Sequence, residues 1–196
     1  MIQFPLIMQF ARSFKDDANI YFLTEYIRGM ELGRIIYRDD VEELDTEECR
    51  FYVASLLLCV EYLHSHKIIH RDIKPENVII DDKGNFKLLD LGAAKIQDQN
   101  RCLTQVGTPW YTAPEIIENK GYSFPVDLWS IGICFFEFLF GYLPFGDDQD
   151  DPYEIYKEIL TGTFEIPEEM EDVLAKDLLR KLLRKEPGIR FNGSYA

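Results

Sequence analysis

The sequence predicts an α+β fold in which a helical body carries a few strands at one end. Strand-like runs and turn signals gather early in the chain and helical periodicity dominates late. No repeat, Ser/Gly linker or low-complexity tract divides the 196 residues. With 46% hydrophobic and 14% aromatic residues, a chain of this size buries one sizeable core, so a single folded unit is expected.

The runs "MQFARSFKD" and "NIYFLTEYI", split by the turn signal Asp17-Ala18-Asn19, predict a strand hairpin over residues 8–27. "GMELGRII" follows as a short helix. The clearest helix is "LDTEECRFYVASLLLCVEYLHSHK", residues 44–67, where Cys49, Tyr52, Val53, Leu56, Leu57, Val60 and Leu63 recur at helical spacing. Asp45 and Glu48 stand at its start in the D-x-x-E pattern of a capping box. "IIHRDIKPENVII", residues 68–80, reads as a loop between two short buried strands. "NVII" and "NFKLLDL" flank "DDKG", with Gly84 as the turn residue of a second hairpin. Helices are then predicted over 113–118, 125–141, 151–160 and 171–185, and the acidic clusters at 39–43 and 147–151 read as solvated faces.

Composition excludes some classes of partner. A net charge of −14, from 35 acidic against 21 basic residues, repels nucleic-acid phosphates and anionic membrane surfaces alike, and suits basic peptides or proteins. Cys49, Cys59, Cys102 and Cys134 have no ligand-like spacing, which favours free thiols in a reducing compartment. The N-terminus lacks a basic leader followed by a long apolar run, so a cytoplasmic protein is expected. The apolar window 128–145 contains Glu137, Gly132 and Gly141 and reads as a buried core helix, not a membrane span.

Three motifs carry chemistry, in this order: His70-Arg71-Asp72 with Lys74 and Asn77, then Asp90-Leu91-Gly92, then Ala113-Pro114-Glu115. Together they resemble the eukaryotic protein kinases. The stretches "GTPWYTAPEII", "NKGYSFPVDLWSIGICFFEFLFGYLPFG" and "DDQDDPYEIYKEIL" resemble the cyclic-nucleotide-dependent branch of the AGC group, most closely the cGMP-dependent kinases of protists. The resemblance implies a protein-kinase-like fold: residues 1–27 as partial N-lobe strands and hinge, residues 28–196 as a mainly helical C-lobe. Within that lobe it implies a catalytic loop at 70–77 and an activation segment at 90–115.

The same resemblance implies a serine/threonine kinase that uses ATP and Mg²⁺. A hydroxyl attacking a phosphoryl group needs a proton acceptor that also orients it, which is the role implied for Asp72. Lys74 would reach the γ-phosphate, and the oxygen donors Asn77 and Asp90 would hold Mg²⁺. Leu91 replaces the Phe usual in the second motif and changes only its apolar anchor. Thr108 would hydrogen-bond Asp72 and Lys74, in the pattern that accompanies Ser/Thr specificity. Thr104 occupies the position that carries an activating phosphate, with Arg71 and Lys95 as the basic groups that receive it.

In the "YFLTEYI" stretch, Thr24 matches the gatekeeper, the backbone of Glu25 and Ile27 would bond adenine, and Ile79 would form part of the apolar floor. Glu31, Glu76 and Glu137 match positions that bind substrate arginines, so protein substrates with basic residues near Ser/Thr are implied. Each of these glutamates has an ordinary ion pair as its alternative role. Trp110 stands where relatives often have Glu and could present a cation–π face. Asp127 would brace the catalytic-loop backbone, and Glu115 would pair with Arg190.

Some expected parts are not visible in the sequence. No G-x-G-x-x-G occurs, and Lys15 is the only lysine before the hinge. The phosphate-clamping N-lobe and regulatory domains, including any cGMP-binding one, are therefore expected elsewhere in a longer protein. The isolated chain is expected to be inactive, with its N-lobe edge and apolar cleft exposed. The alternative is a truncated, non-catalytic lobe that acts as a binding or regulatory module.

Overall fold

The computed structural model describes residues 2–37, 44–97, 101–168 and 170–191. The acidic cluster at 39–43 and part of the segment at 95–115 lie outside the described residues. The predicted hairpin is present as strands β1 (Phe10–Lys15) and β2 (Ile20–Thr24), paired antiparallel from Phe10↔Thr24 to Lys15↔Ile20. Asp16 closes the turn, its Oδ1 accepting from the amides of Ala18 and Asn19 and its Oδ2 from the Tyr21 hydroxyl. Residues before β1 are tied to the body: the Leu88 amide donates to the Leu6 carbonyl, the Met8 amide donates to the Leu88 carbonyl, and Ile7 is buried.

The "GMELGRII" stretch, expected to be helical throughout, divides in two. Its first residues form β3 (Gly29–Glu31) and only Leu32–Ile36 form helix α1. The cause is non-local: β3 adds to a hairpin beginning some 50 residues later, and Gly29 is required because a Cβ there would lie 2.2 Å from the Ile80 carbonyl oxygen. Helix α2 (Thr46–Ser65) has both halves of the capping box, with Asp45 accepting from the Glu48 amide and Glu48 accepting from the Asp45 amide. Leu57, expected in the core, is only partly buried, while Ser55 and Cys59 take places in the interior.

Strand β4 (Ile68–Ile69) leads into the loop, and β5 (Val78–Asp81) with β6 (Phe86–Leu88) forms the second hairpin. The sheet order is β3-β5-β6, and the two residues of β7 (Lys95–Ile96) pair with β4. The remaining helices are α3 (Pro114–Ile117), α4 (Pro125–Phe140), α5 (Pro152–Thr161) and α6 (Val173–Leu182).

Helix α4 is the pillar of the molecule. Trp129, Ile131, Ile133, Cys134, Phe135 and Phe136 are buried on every side of it, with α2 packed on one flank and α6 on another. A helix apolar all round belongs in a core, as the sequence implied. No helix among the described residues is long and apolar enough to cross a membrane. All four cysteines are free and buried.

Candidate active site

The loop after β4 is held from below by one carboxylate. Asp127, in the first turn of α4 and fully buried, accepts from the amides of His70 (2.9 Å) and Arg71 (2.8 Å) and from His64 Nε2 (2.8 Å). Burial alone would raise the Asp127 carboxyl, but the His64 hydrogen bond and the Arg71 amide outweigh it and keep the group below the usual carboxylate range. Three donors thus converge on one side chain. They hold Arg71 in a left-handed conformation, φ 71°.

Above this brace the predicted polar residues meet. Lys74 Nζ donates to Thr108 Oγ1 at 2.7 Å, and the Thr108 hydroxyl donates to Asp72 Oδ1 at 3.0 Å. Asn77, in a single 3₁₀ turn (Pro75–Asn77), donates through Nδ2 to the Asp72 carbonyl at 2.7 Å and to Oδ2 at 3.1 Å. Lys74 Nζ lies 3.5 Å from Asp72 Oδ2. One carboxylate is therefore fixed by a hydroxyl, an amide and an ammonium.

Asp90 joins the group through its neighbour. The Leu89 amide donates to the Asn77 carbonyl at 2.8 Å, and the Leu89 carbonyl lies 3.2 Å from His70 Nε2. Asp90 itself is exposed, in a left-handed conformation (φ 49°), with Oδ1 accepting from the Gly92 amide. Leu91 packs partly buried against the core.

Among the described residues, no group of three or more His, Cys, Asp or Glu is placed to hold a metal ion. An amide oxygen of Asn77 and the carboxylate of Asp90 are hard donors, and they suit an ion such as Mg²⁺ that keeps waters and phosphate oxygens for its other positions.

A largely apolar cleft of about 690 Å³ adjoins Asp90, lined by Phe10, Phe22, Thr24, Leu88 and Leu91 among others. Thr24 thus faces this cleft from the end of β2. The amide of Glu25 donates to the Gln9 carbonyl, so that amide is already engaged. The Glu25 side chain accepts from Lys87 Nζ (2.7 Å) and the Gln9 amide (2.8 Å). Lys87 pairs across the sheet with Ile79, the residue predicted for the apolar floor. Ile27 is half-buried between β2 and β3.

Two further predicted groups sit apart from this centre. Arg71 donates through Nε to the Ala93 carbonyl at 2.6 Å and through a terminal nitrogen to the Tyr122 hydroxyl at 3.0 Å. That hydroxyl donates to the Thr104 carbonyl at 2.6 Å. Tyr122, which the sequence did not single out, therefore links Arg71 to the exposed Thr104, while Lys95 lies exposed on β7. Glu115 and Arg190 form a buried fork with contacts of 2.7 and 2.9 Å, and the Arg190 guanidinium lies over the Trp129 ring.

The three glutamates converge on α1. Glu31 precedes its first turn and accepts from Arg34 Nε at 2.9 Å. Glu76 is exposed and packs on Gly33, where a Cβ would come 3.3 Å from Glu76 Cγ. Glu137 is only 1% exposed, and its two oxygens accept from the hydroxyls of Tyr37 and Tyr111. Trp110 is anchored by its indole N–H to the Gly146 carbonyl, and the cation seen over a tryptophan face lies on Trp129.

The site is thus a carboxylate ringed by a hydroxyl, an amide and an ammonium, in a fold of one all-apolar helix and a small sheet with an apolar cleft beside Asp90. The family model for the protein kinase domain matches residues 1–194, and the chain belongs to that family. It is 43% identical over 193 residues to the cGMP-dependent protein kinase of Plasmodium berghei, covering 96% of this chain and 22% of the relative. It is 43% identical over 190 residues to the cGMP-dependent protein kinase of Toxoplasma gondii, covering 97% of this chain and 19% of the relative. It is 42% identical over 182 residues to catalytic subunit 3 of the Drosophila melanogaster cAMP-dependent protein kinase, covering 93% of this chain and 30% of that protein. The chain spans less than a third of the length of each of these relatives.

Proposed function

We propose that this chain supplies the catalytic loop, metal ligands and substrate-binding side of a serine/threonine kinase that transfers the γ-phosphoryl group of ATP to Ser/Thr in basic peptide contexts. The observation that carries this reading is the Thr108 hydroxyl shared between Asp72 and Lys74. It holds a proton acceptor and a cation within 3.5 Å of each other, the pairing an attacking hydroxyl and a departing charge require.

In this reading Asp72 Oδ1 or Oδ2 orients the substrate hydroxyl and takes its proton. Lys74 offsets charge on the transferred group. Asn77 and Asp90 would hold Mg²⁺, which when bound would supply positive charge to phosphate oxygens. Thr24, the Glu25 carbonyl, Ile27 and Ile79 border the adenine. A phosphate on Thr104 would bring about −1.5 to −2 charges toward Arg71 and Lys95. Free buried thiols and the acidic charge fit a reducing, cytoplasmic setting and basic protein substrates.

A second reading, a non-catalytic binding module for basic peptides, is favoured by the exposed Glu76 and the net charge of −14, which suit such a partner without any chemistry. One experiment separates the two. The chain is assayed with Mg-ATP and an arginine-rich serine peptide, alone and as a chimera bearing the upstream lobe of the Drosophila relative. We expect no turnover alone, and chimera activity that Asp72→Asn lowers by at least about 100-fold. A folded chimera without Asp72-dependent transfer overturns the kinase reading and leaves the module. Peptide mapping of active native protein that finds Thr104 unmodified removes the regulatory phosphate from it.

A further inference from the structure

Of the three glutamates around α1, Glu76 is exposed and Glu137 is closed off from solvent. Glu137 is the most enclosed of the three glutamates, and each of its oxygens already accepts from a phenol: Oε1 from Tyr37 and Oε2 from Tyr111. The two phenols differ in kind. Tyr111 is itself buried and follows the loop that carries Thr108, so its hydroxyl is part of the packed interior. Tyr37 stands at the C-terminal end of α1 and is 58% exposed, with its hydroxyl on Glu137. Moving Tyr37 away from the carboxylate therefore disturbs little packing, whereas moving Tyr111 breaks the interior.

We propose that Tyr37 is a specificity-determining residue: a hydrogen-bonded lid on Glu137 that an arginine of the substrate must displace in order to reach the carboxylate. The proposal rests on the basic-substrate reading above and deepens it. A guanidinium is a planar fork whose selectivity comes from engaging carboxylate oxygens in its plane. With Oε1 capped, the fork meets a phenol oxygen in place of a charged acceptor. Binding then carries the loss of the Tyr37 hydrogen bond, so Glu137 contributes less to arginine preference than an uncapped carboxylate. Glu31 is partly engaged as well, by Arg34 of the same helix, but that pair is exposed and between neighbouring turns, which makes it weak. Glu76, exposed, remains the first contact for an incoming cation.

The test uses the full 196-residue chain and a fluorescent peptide with two adjacent arginines upstream of a serine, read by fluorescence anisotropy. Companion peptides replace each arginine in turn with citrulline, which keeps the shape and removes the charge. Tyr37→Phe keeps the ring and deletes only the hydroxyl, and Tyr37→Ala removes the lid. We expect both variants to bind the arginine peptide about three- to tenfold more tightly than the unmodified chain, the range one net hydrogen bond supplies. The gain should vanish for one of the two citrulline peptides, the one lacking the arginine that meets Glu137. Unchanged or weaker binding in both variants, while Glu76→Ala still weakens it, overturns the lid and leaves the basic-substrate reading standing. Equal binding of arginine and citrulline peptides by every variant overturns that reading and the lid with it.

Discussion

The two carboxylates of α4 respond to burial in opposite ways, and the difference lies in the number and strength of their donors. Asp127 has two backbone amides and an imidazole, enough to hold its carboxyl below the ordinary range despite full burial. Among the described residues Glu137 has two phenols as donors, and burial dominates: its carboxyl is pushed up to about 7, with Glu76 and Asp147 adding repulsion across the site. A folded-state value raised above the ordinary 4.5 means the native state holds a proton that the unfolded chain has released. The stability from this proton is therefore fully present below about pH 4.5 and is lost as pH rises through about 7. Asp127 acts in the opposite sense, its contribution being lost as acid protonates it. Urea midpoints of the native chain and Glu137→Gln, measured from pH 5 to 8, should diverge across this window, the native chain losing stability that the variant keeps. Parallel curves would show that Glu137 is ionised throughout. Asp127 was legible in the sequence through its motif, whereas the Tyr37 contact was not, because it joins residues 100 positions apart and neither belongs to a local pattern.

At the scale of elements, legibility followed locality. The capping box of α2 is a four-residue pattern whose hydrogen bonds stay within those residues, so the sequence placed it correctly. The core stripe of α2 and the all-apolar α4 are likewise local periodicities. Strand β3 was misread as helix because its pairing partner β5 lies far along the chain, and β7 was missed because a two-residue strand has no pattern of its own. The site followed the same division: the motif residues could be named, but the grouping of Glu31, Glu76 and Glu137 around α1 needed the fold. Packing between elements is also invisible in sequence, and Gly132 shows why it matters. A Cβ there would lie 2.8 Å from Leu183 Cδ2 and 2.9 Å from Leu182 Cβ, at the contact of α4 with the end of α6. Alanine would gain about 1 kcal/mol of helix propensity but overpack a contact at a cost of about 1–3 kcal/mol. The overpacking should win, so Gly132→Ala is expected to lower stability by about 1 kcal/mol in urea unfolding, the difference of those two effects. A gain in stability would mean that α6 yields at this contact.

For the whole molecule, two forces oppose each other at the β1–β2 end. The hairpin leaves Phe14, Ile20, Phe22 and Leu23 exposed, a run of apolar side chains on an edge of the kind that pairs with other chains. Against this stands the net charge of −14, which keeps copies apart. The two forces respond differently to salt: hydrophobic contact persists, while repulsion between exposed charges is screened within about 8 Å at 0.15 M and about 3 Å at 1 M. The chain should therefore sediment as a monomer in low salt and self-associate as salt rises. Phe22→Lys places a charge on the most exposed large side chain of the hairpin and should hold the molecule monomeric at salt concentrations where the native chain associates. Association that weakens as salt rises would mean that ion pairs, not the apolar hairpin, bring the copies together. Association unchanged by Phe22→Lys would place the contact on another face. Either result would separate the exposed hairpin from the rest of the molecule, where the loop after β4 is braced from α4 by Asp127 and does not depend on that edge.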